Sequence, residues 1–248
     1  DSVASRGLGD VYKRQIWAGE MAWLQKNTSK GPSYVCDNRA TKDELNAYLT
    51  GGSILLSGGG NFGDIWPEFQ EFRENIILGY PHASIVQLPQ SIHFSEEAAL
   101  ERTTAALREV PQLRLLVRDL ESYDLASTRF GCEVVLCPDM AFALGPLERR
   151  RAPDLDVLLL LRTDKESQIE TKLVRELPAG WEQADWLDDD PDMYRRALFD
   201  TRASAVLSFN VKKLSKMSRR KYYYERVSGE RLDRGMNLLS RARFVITD

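Results

Sequence analysis

Three observations predict an α/β fold of parallel sheets flanked by helices, arranged as two units of which the second is incomplete. From residue 16 onward, apolar runs of strand length alternate with amphipathic stretches of helical period, the signature of crossover-connected parallel strands. Polar clusters recur directly after the apolar runs, which places them together at the carboxyl edge of a sheet. The pattern then breaks at residues 145–154 (GPLERRRAPD) and resumes. Residues 16–146 and 156–248 are therefore expected as two units, with 147–155 as the linker.

Residues 1–15 (DSVASRGLGDVYKRQ) lack periodicity, and their GLGDVYKRQ portion resembles a translated sequencing or assembly scar. They are expected to lie outside the fold, Gly7-Leu8-Gly9-Asp10 included. Residues 16–27 place Ile16, Trp17, Met21 and Leu24 on one side of a helix. Residues 34–36 form a short strand. Thr41 with Glu44 three residues on is a capping box opening a helix to Leu49. Ile54, Leu55 and Leu56 make a buried strand stopped by Gly58, Gly59 and Gly60, and a helix over 65–78 follows with Pro67 in its first turn. The strand of 83–88 ends at Pro89, Ser95 caps a helix over 96–108, and the strand of 113–117 leads into a helix over 120–129. Residues 133–136 form a strand and 140–144 a helical turn. In the second unit, strands are expected at 156–161, 205–209 and 244–247, and helices at 193–201 and 232–240.

The chain of 248 residues is 43% hydrophobic and 29% charged, with a net charge of -3 that gives no overall attraction to nucleic acid or anionic lipid. No apolar run approaches the ~20 residues that span a bilayer. Cys36, Cys132 and Cys137 have neither metal-ligand nor disulfide spacing and are expected as buried free thiols of a reducing cytoplasm. Asp188, Asp189, Asp190 and Asp192 are either a metal cluster or a solvated helix start. The tract of 212–226, seven Lys and Arg around Tyr222, Tyr223 and Tyr224, is either a surface for an anionic or membrane-held ligand or a solvated helix. Nucleic acid is not expected, since no recognised binding motif accompanies it.

The functional candidates stand at the predicted strand ends. Gly58, Gly59, Gly60, Asn61 and Gly63, with Asp64, form either a backbone cradle for an anion or a ligand-free turn. Gln87, Gln90 and Ser91 could bind sugar hydroxyls or order their loops. Arg118 could grip a carboxylate or phosphate with two prongs, or form a structural ion pair. Asp64, Asp119 and Asp139 could act as acids and bases or cap the following helices. Arg162 ends the first strand of the second unit.

Four motifs in order, 58–67 (GGGNFGDIWP), 87–92 (QLPQSI), Arg118-Asp119 with Ser122 and Tyr123, and 138–142 (PDMAF), resemble the polysaccharide pyruvyl transferases from about residue 16 to residue 248. The resemblance implies two Rossmann-like domains of GT-B type facing a cleft. It implies transfer of a pyruvyl group from phosphoenolpyruvate to two hydroxyls of a sugar, forming a ketal, with no cofactor or metal. The acceptor would be a lipid-linked or polymeric saccharide at the inner face of the cytoplasmic membrane, with peripheral membrane contact. Arg118 would hold the donor, Asp64 and Asp119 would serve catalysis, and Gly58 to Gly60, Asn61, Gly63, Gln87, Gln90, Ser91, Asp139 and Arg162 would bind substrate. The family's Arg-Leu-His motif would follow the final Thr-Asp, so this chain by itself is expected to be inactive. A nucleotide-sugar glycosyltransferase of the same architecture and a non-catalytic saccharide-binding module are the competing readings.

Overall fold

The computed structural model describes residues 2–6, 12–29, 31–38, 40–49, 52–110, 112–161, 177–185, 191–207 and 212–247. It divides into two units, Asp1–Gly9 with Ile16–Gly145 and Asp10–Gln15 with Pro146–Asp248.

The first unit is built on a parallel sheet. Its strands are β1 (Ser2–Arg6), β2 (Tyr34–Asp37), β3 (Ser53–Leu56), β5 (Ser84–His93), β6 (Arg114–Val117) and β7 (Glu133–Leu136), in the order β2-β1-β3-β5-β6-β7. A further strand, β4 (Gly59–Gly63), pairs with the second half of β5, while β3 pairs with its first half. The helices are α1 (Tyr12–Asn27), α2 (Lys42–Asn46), α3 (Pro67–Gly79), α4 (Glu97–Arg108) and α5 (Leu120–Arg129). Apolar alternation places Ile54, Leu56, Ile85, Leu115 and Val117 of the sheet in the core with Ile16 and Trp17 of α1, Ile77 of α3 and Leu107 of α4. Each such side chain contributes roughly 1.5–3 kcal/mol by leaving water.

Four expectations are corrected here. The glycine run is not a turn into a helix: Gly59–Gly63 is strand β4, and α3 starts only at Pro67, whose missing N–H costs nothing at a first helical position. The strand of 83–88 does not stop at Pro89 but runs on to His93. A bulge explains this. Gln87 faces Leu115 and Gln90 faces Val117, so β5 spends three residues where β6 spends two, and proline is tolerated where the ladder is broken. Helix α4 is capped from outside, by Asp64 rather than by the Ser95 hydroxyl. Finally, Ser2–Arg6, expected outside the fold, is hydrogen-bonded between β2 and β3, and Tyr12–Gln15 open α1. A vacant slot between two strands recruits a short segment whatever its intrinsic periodicity.

Gly63 fixes the crossing of β4 over β5. Its φ is +124°, and a Cβ there would stand 1.6 Å from the His93 carbonyl oxygen. Thr41 caps α2 as foreseen, its Oγ1 accepting from Glu44 N at 3.3 Å, although that helix ends at Asn46.

The second unit has a three-stranded parallel sheet, β8 (Leu155–Leu160), β9 (Trp181–Ala184) and β10 (Ala242–Thr247), in the order β10-β8-β9. Leu158, Leu160 and Ala242 form its core with Leu238 and Leu239. Helix α6 (Pro191–Leu207) packs on α7 (Lys212–Arg241) through Met193, Ala197 and Val227. The strand expected from Ala205 is corrected: residues 205–207 are the last turn of α6. Strand β9, mostly polar, carried no apolar signal. The helix expected at 232–240 is the end of a longer one, α7, that includes the tract of 212–226. The side chains of 212–224, and residues 162–176 and 186–190 with Arg162 and Asp188 to Asp190, lie outside the described residues.

Candidate active site

The strand order reverses at β1, so the crevice where α/β sheets bind ligands falls at the carboxyl ends of β1 and β3. Ser57 and Gly58 stand there. Both are held by Glu20 of α1, whose buried Oε1 accepts from Ser57 Oγ at 2.9 Å and from Gly58 N at 2.8 Å. A Cβ on Gly58 would lie 2.6 Å from the Pro89 carbonyl oxygen, so only glycine lets β3 pass this close to the bulge.

One strand further along, a chain of polar groups connects four of the predicted residues. Arg118 follows β6. Its Nε donates to Ser91 Oγ at 2.8 Å, and Ser91 Oγ donates to Asp119 Oδ2 at 2.7 Å. Arg118 Nη1 donates to Asp139 Oδ2 at 2.6 Å. Each aspartate also caps the helix after it: Asp119 Oδ1 accepts from Ser122 N and Asp139 Oδ1 from Ala141 N, both at 2.8 Å. The two roles left open by the sequence are thus both realised, one on each oxygen. Burial pushes the Asp119 carboxyl up, but hydrogen bonds from Ser122 and Ser91 and the Arg118 charge outweigh it and hold the group below its ordinary range. The third prong, Arg118 Nη2, lies beside Gly60, where a Cβ would stand 3.3 Å from it. Arg118 is 19% exposed, so the cation is reachable but held.

Asn61, Gln87 and Gln90 meet a residue the sequence did not single out. Arg73 of α3 is 4% exposed, with its guanidinium 4.5 Å over the Phe62 ring. It donates to Gln87 Oε1 (2.7 Å), Gln70 Oε1 (2.6 Å) and Asn61 Oδ1 (2.7 Å), and to Asn61 O at 3.3 Å. Gln87 Nε2 and Gln90 Nε2 both donate to the Ser57 carbonyl, at 2.9 and 2.8 Å. Gln90 Oε1 accepts from Asn61 N. The acceptors around Arg73 are neutral amides; burial draws its pKa down to about 9, with the Glu74 charge opposing, so it remains a cation at neutral pH. Its signal in the sequence is an arginine on the apolar side of α3, one turn from Phe69, Ile76 and Ile77.

Asp64 lies apart from the Arg118 group. Its Oδ2 accepts from Ser95 N, Ser95 Oγ and Glu96 N at 2.7, 3.0 and 2.8 Å. Desolvation, the largest single influence, raises its pKa, but the hydrogen bonds from Glu96 and Ser95 together prevail and lower it. Oδ1 is buried with no hydrogen-bond partner among the described residues. Gly59, Gly60 and Gly63 are backbone of β4. His93 is exposed at the end of β5. Cys36 is buried; Cys132 and Cys137 are partly so, and burial raises the Cys132 thiol to about 11. Among the described residues no group of His, Cys, Asp and Glu could hold a metal, and no helix is long and apolar enough to cross a membrane.

Comparison with known proteins agrees with the motifs. The chain is 39% identical over 119 residues to Pyruvyl transferase 1 of Schizosaccharomyces pombe (strain 972 / ATCC 24843), covering 46% of this chain and 30% of that protein. It is 40% identical over 115 residues to EpsO of Bacillus subtilis (strain 168), which carries the words pyruvyl transferase in its name; 46% of this chain and 36% of that one are covered. General stress protein 30 of the same bacterium is 27% identical over 128 residues, 50% of this chain and 37% of the relative. The matches span about a third of each relative's length. The model of one family, Polysaccharide pyruvyl transferase, matches residues 9–248, nearly the whole chain. The four ordered motifs, the sheet that carries them and this match together assign the chain to the polysaccharide pyruvyl transferase family.

Proposed function

We propose that the chain forms the part of a pyruvyl transferase that binds phosphoenolpyruvate and a sugar at the carboxyl edge of the first sheet. The observation that carries this reading is the Arg118 cluster, a reachable guanidinium with one prong on Ser91, one on Asp139 and one beside Gly60. The donor presents a carboxylate and a phosphate, which match a forked cation better than a point charge. Transfer needs a proton for the donor's methylene carbon and removal of protons from two sugar hydroxyls while phosphate departs. Asp119, joined to Arg118 through Ser91, is the candidate base. Asp64 is a second candidate on the same sheet edge.

Asn61, Gln87 and Gln90 then act beneath the site, fixing β4 and the Ser57 carbonyl, while Gly58 to Gly60, Gly63, Ser91 and Asp139 shape the donor's surroundings. Arg162, outside the described residues, is proposed to bind substrate. In this reading the units are the Rossmann-like domains of a GT-B architecture. Its acceptor is a lipid-linked or polymeric saccharide at the cytoplasmic membrane face, the product is a ketal, and no cofactor takes part.

Calorimetric titration of the chain with phosphoenolpyruvate tests the donor site. Saturable binding that weakens at least about tenfold in Arg118→Ala is expected, the loss of a charge-assisted pair. Equal affinity in both proteins refutes the assignment of Arg118.

A further inference from the structure

We propose that the groove between α2 and α3 is a second saccharide site, holding a neutral stretch of the acceptor glycan away from the Arg118 cluster. The inference rests on the saccharide reading above and adds a place where the polymer is held.

The groove has a volume of about 720 Å³. That falls within the roughly 300–1,000 Å³ typical of ligand sites. Its long wall is one stripe of α3, where Glu68, Glu71, Phe72 and Asn75 recur at helical spacing. From Glu68 to Gly79 the helix rises on the order of 16 Å, enough for several sugar rings in a row rather than one. Tyr80 closes one end, and its hydroxyl donates to Asn46 Oδ1 at 2.8 Å. That bond ties α2 to the end of α3 and fixes the two walls against each other.

The lining chemistry selects the ligand. Phe72 and Tyr80 are half-buried and offer ring surface to the C–H faces of a pyranose. Asn38, Asn75, Glu68 and Glu71 offer planar acceptors and donors to neighbouring hydroxyls. Among the described lining residues two glutamates stand against one lysine, Lys42, and this surplus of negative charge opposes phosphates and carboxylates. Among the ligands this charge does not oppose, a neutral oligosaccharide combines the apolar C–H faces and the hydroxyls that these rings, amides and carboxylates match.

The test uses the 248-residue chain and neutral hexasaccharides of gluco, galacto and manno configuration, by calorimetry and saturation-transfer NMR. At least one hexasaccharide is expected to bind, more tightly than its monosaccharide. Glu71→Ala and Asn75→Ala, both at exposed positions, should each weaken it at least about fivefold, the loss of one hydrogen bond, without moving the melting temperature. Arg118→Ala should leave this binding intact. Failure of all three sugars to bind, unchanged affinity in both groove variants, or loss of binding in Arg118→Ala alone would overturn the proposal. The phosphoenolpyruvate titration is independent: donor binding without hexasaccharide binding removes only the groove, and the converse removes only the donor site.

Discussion

Replacing Arg73 with methionine should destabilise the first unit by about 2–4 kcal/mol, even though a buried charge is exchanged for an apolar group of similar length. Such exchanges are often neutral or favourable when the charge's neighbours are apolar or are replaced with it. Here the neighbours stay polar. The guanidinium makes three hydrogen bonds of 2.6–2.7 Å to side-chain oxygens of Gln70, Gln87 and Asn61. At ~1.5–3 kcal/mol for each bond to a charged group the gross loss is roughly 5–9 kcal/mol. Against it stands the relief of desolvation, the same burial that draws the Arg73 pKa down to about 9. Two acceptors keep other donors, since Asn61 Oδ1 retains Gln90 Nε2 and Gln70 Oε1 retains Gly63 N. Gln87 Oε1 does not, and an orphaned buried acceptor costs a further ~1–3 kcal/mol. Urea unfolding followed by circular dichroism and tryptophan fluorescence measures the difference. Arg73→Lys serves as the control for charge without the fork and should fall by a similar amount. A methionine variant within about 0.5 kcal/mol of wild type, or more stable, would refute the reasoning.

Three further outcomes follow from the geometry. Gly63→Ala meets the His93 carbonyl at 1.6 Å on a backbone of φ +124°, so a loss of about 3 kcal/mol or more, or an unfolded protein on thermal melting, is expected. Asp64→Ala removes the cap of α4 and should cost about 1 kcal/mol at pH 7. Because the folded-state pKa of Asp64 is depressed, that contribution is present above the ordinary carboxyl pKa and disappears as pH falls through the folded one. Wild-type and variant unfolding curves should therefore converge below roughly pH 4. Ser91→Ala breaks the link between Arg118 and Asp119, so the Asp119 carboxyl, followed by NMR titration, should move up toward its ordinary value; no upward movement would show that Ser91 does not help hold it down.

Much of the first unit was legible because its local signals agree. Asp119 and Asp139 each precede a helix and each cap it. Arg118 stands at a strand end among polar residues, and there it is reached by Ser91 and Asp139. What escaped was set by partners distant in sequence. Three glycines in a row signal a turn, yet β4 forms because the second half of β5 offers an unpaired edge to it. Pro89 signals an end, yet a bulge carries the strand through. Arg73 and Glu20 were not singled out, and only the tertiary structure supplies the amides, backbone N–H and hydroxyl that let them be buried. In the second unit, β9 forms by pairing with β8 despite its polar composition.

The bulge in β5 makes the spacing of Gln87-Leu-Pro-Gln90 a matter of counting. Side chains three apart on a regular strand point to opposite faces, yet these two glutamines bond the same Ser57 carbonyl, because the extra residue turns the second one back. Deleting Leu88 or Pro89 would remove the extra residue and leave Gln87 and Gln90 two apart on a regular strand, still facing the same way, whereas one residue inserted between them with the bulge kept would reverse every side chain from Gln90 to His93. Ser91 would then face the amides around Arg73, and Gln90 would face Arg118. Point substitutions in this segment can be graded by chemistry, whereas one added residue exchanges the buried scaffold with the reactive edge and one removed residue does not.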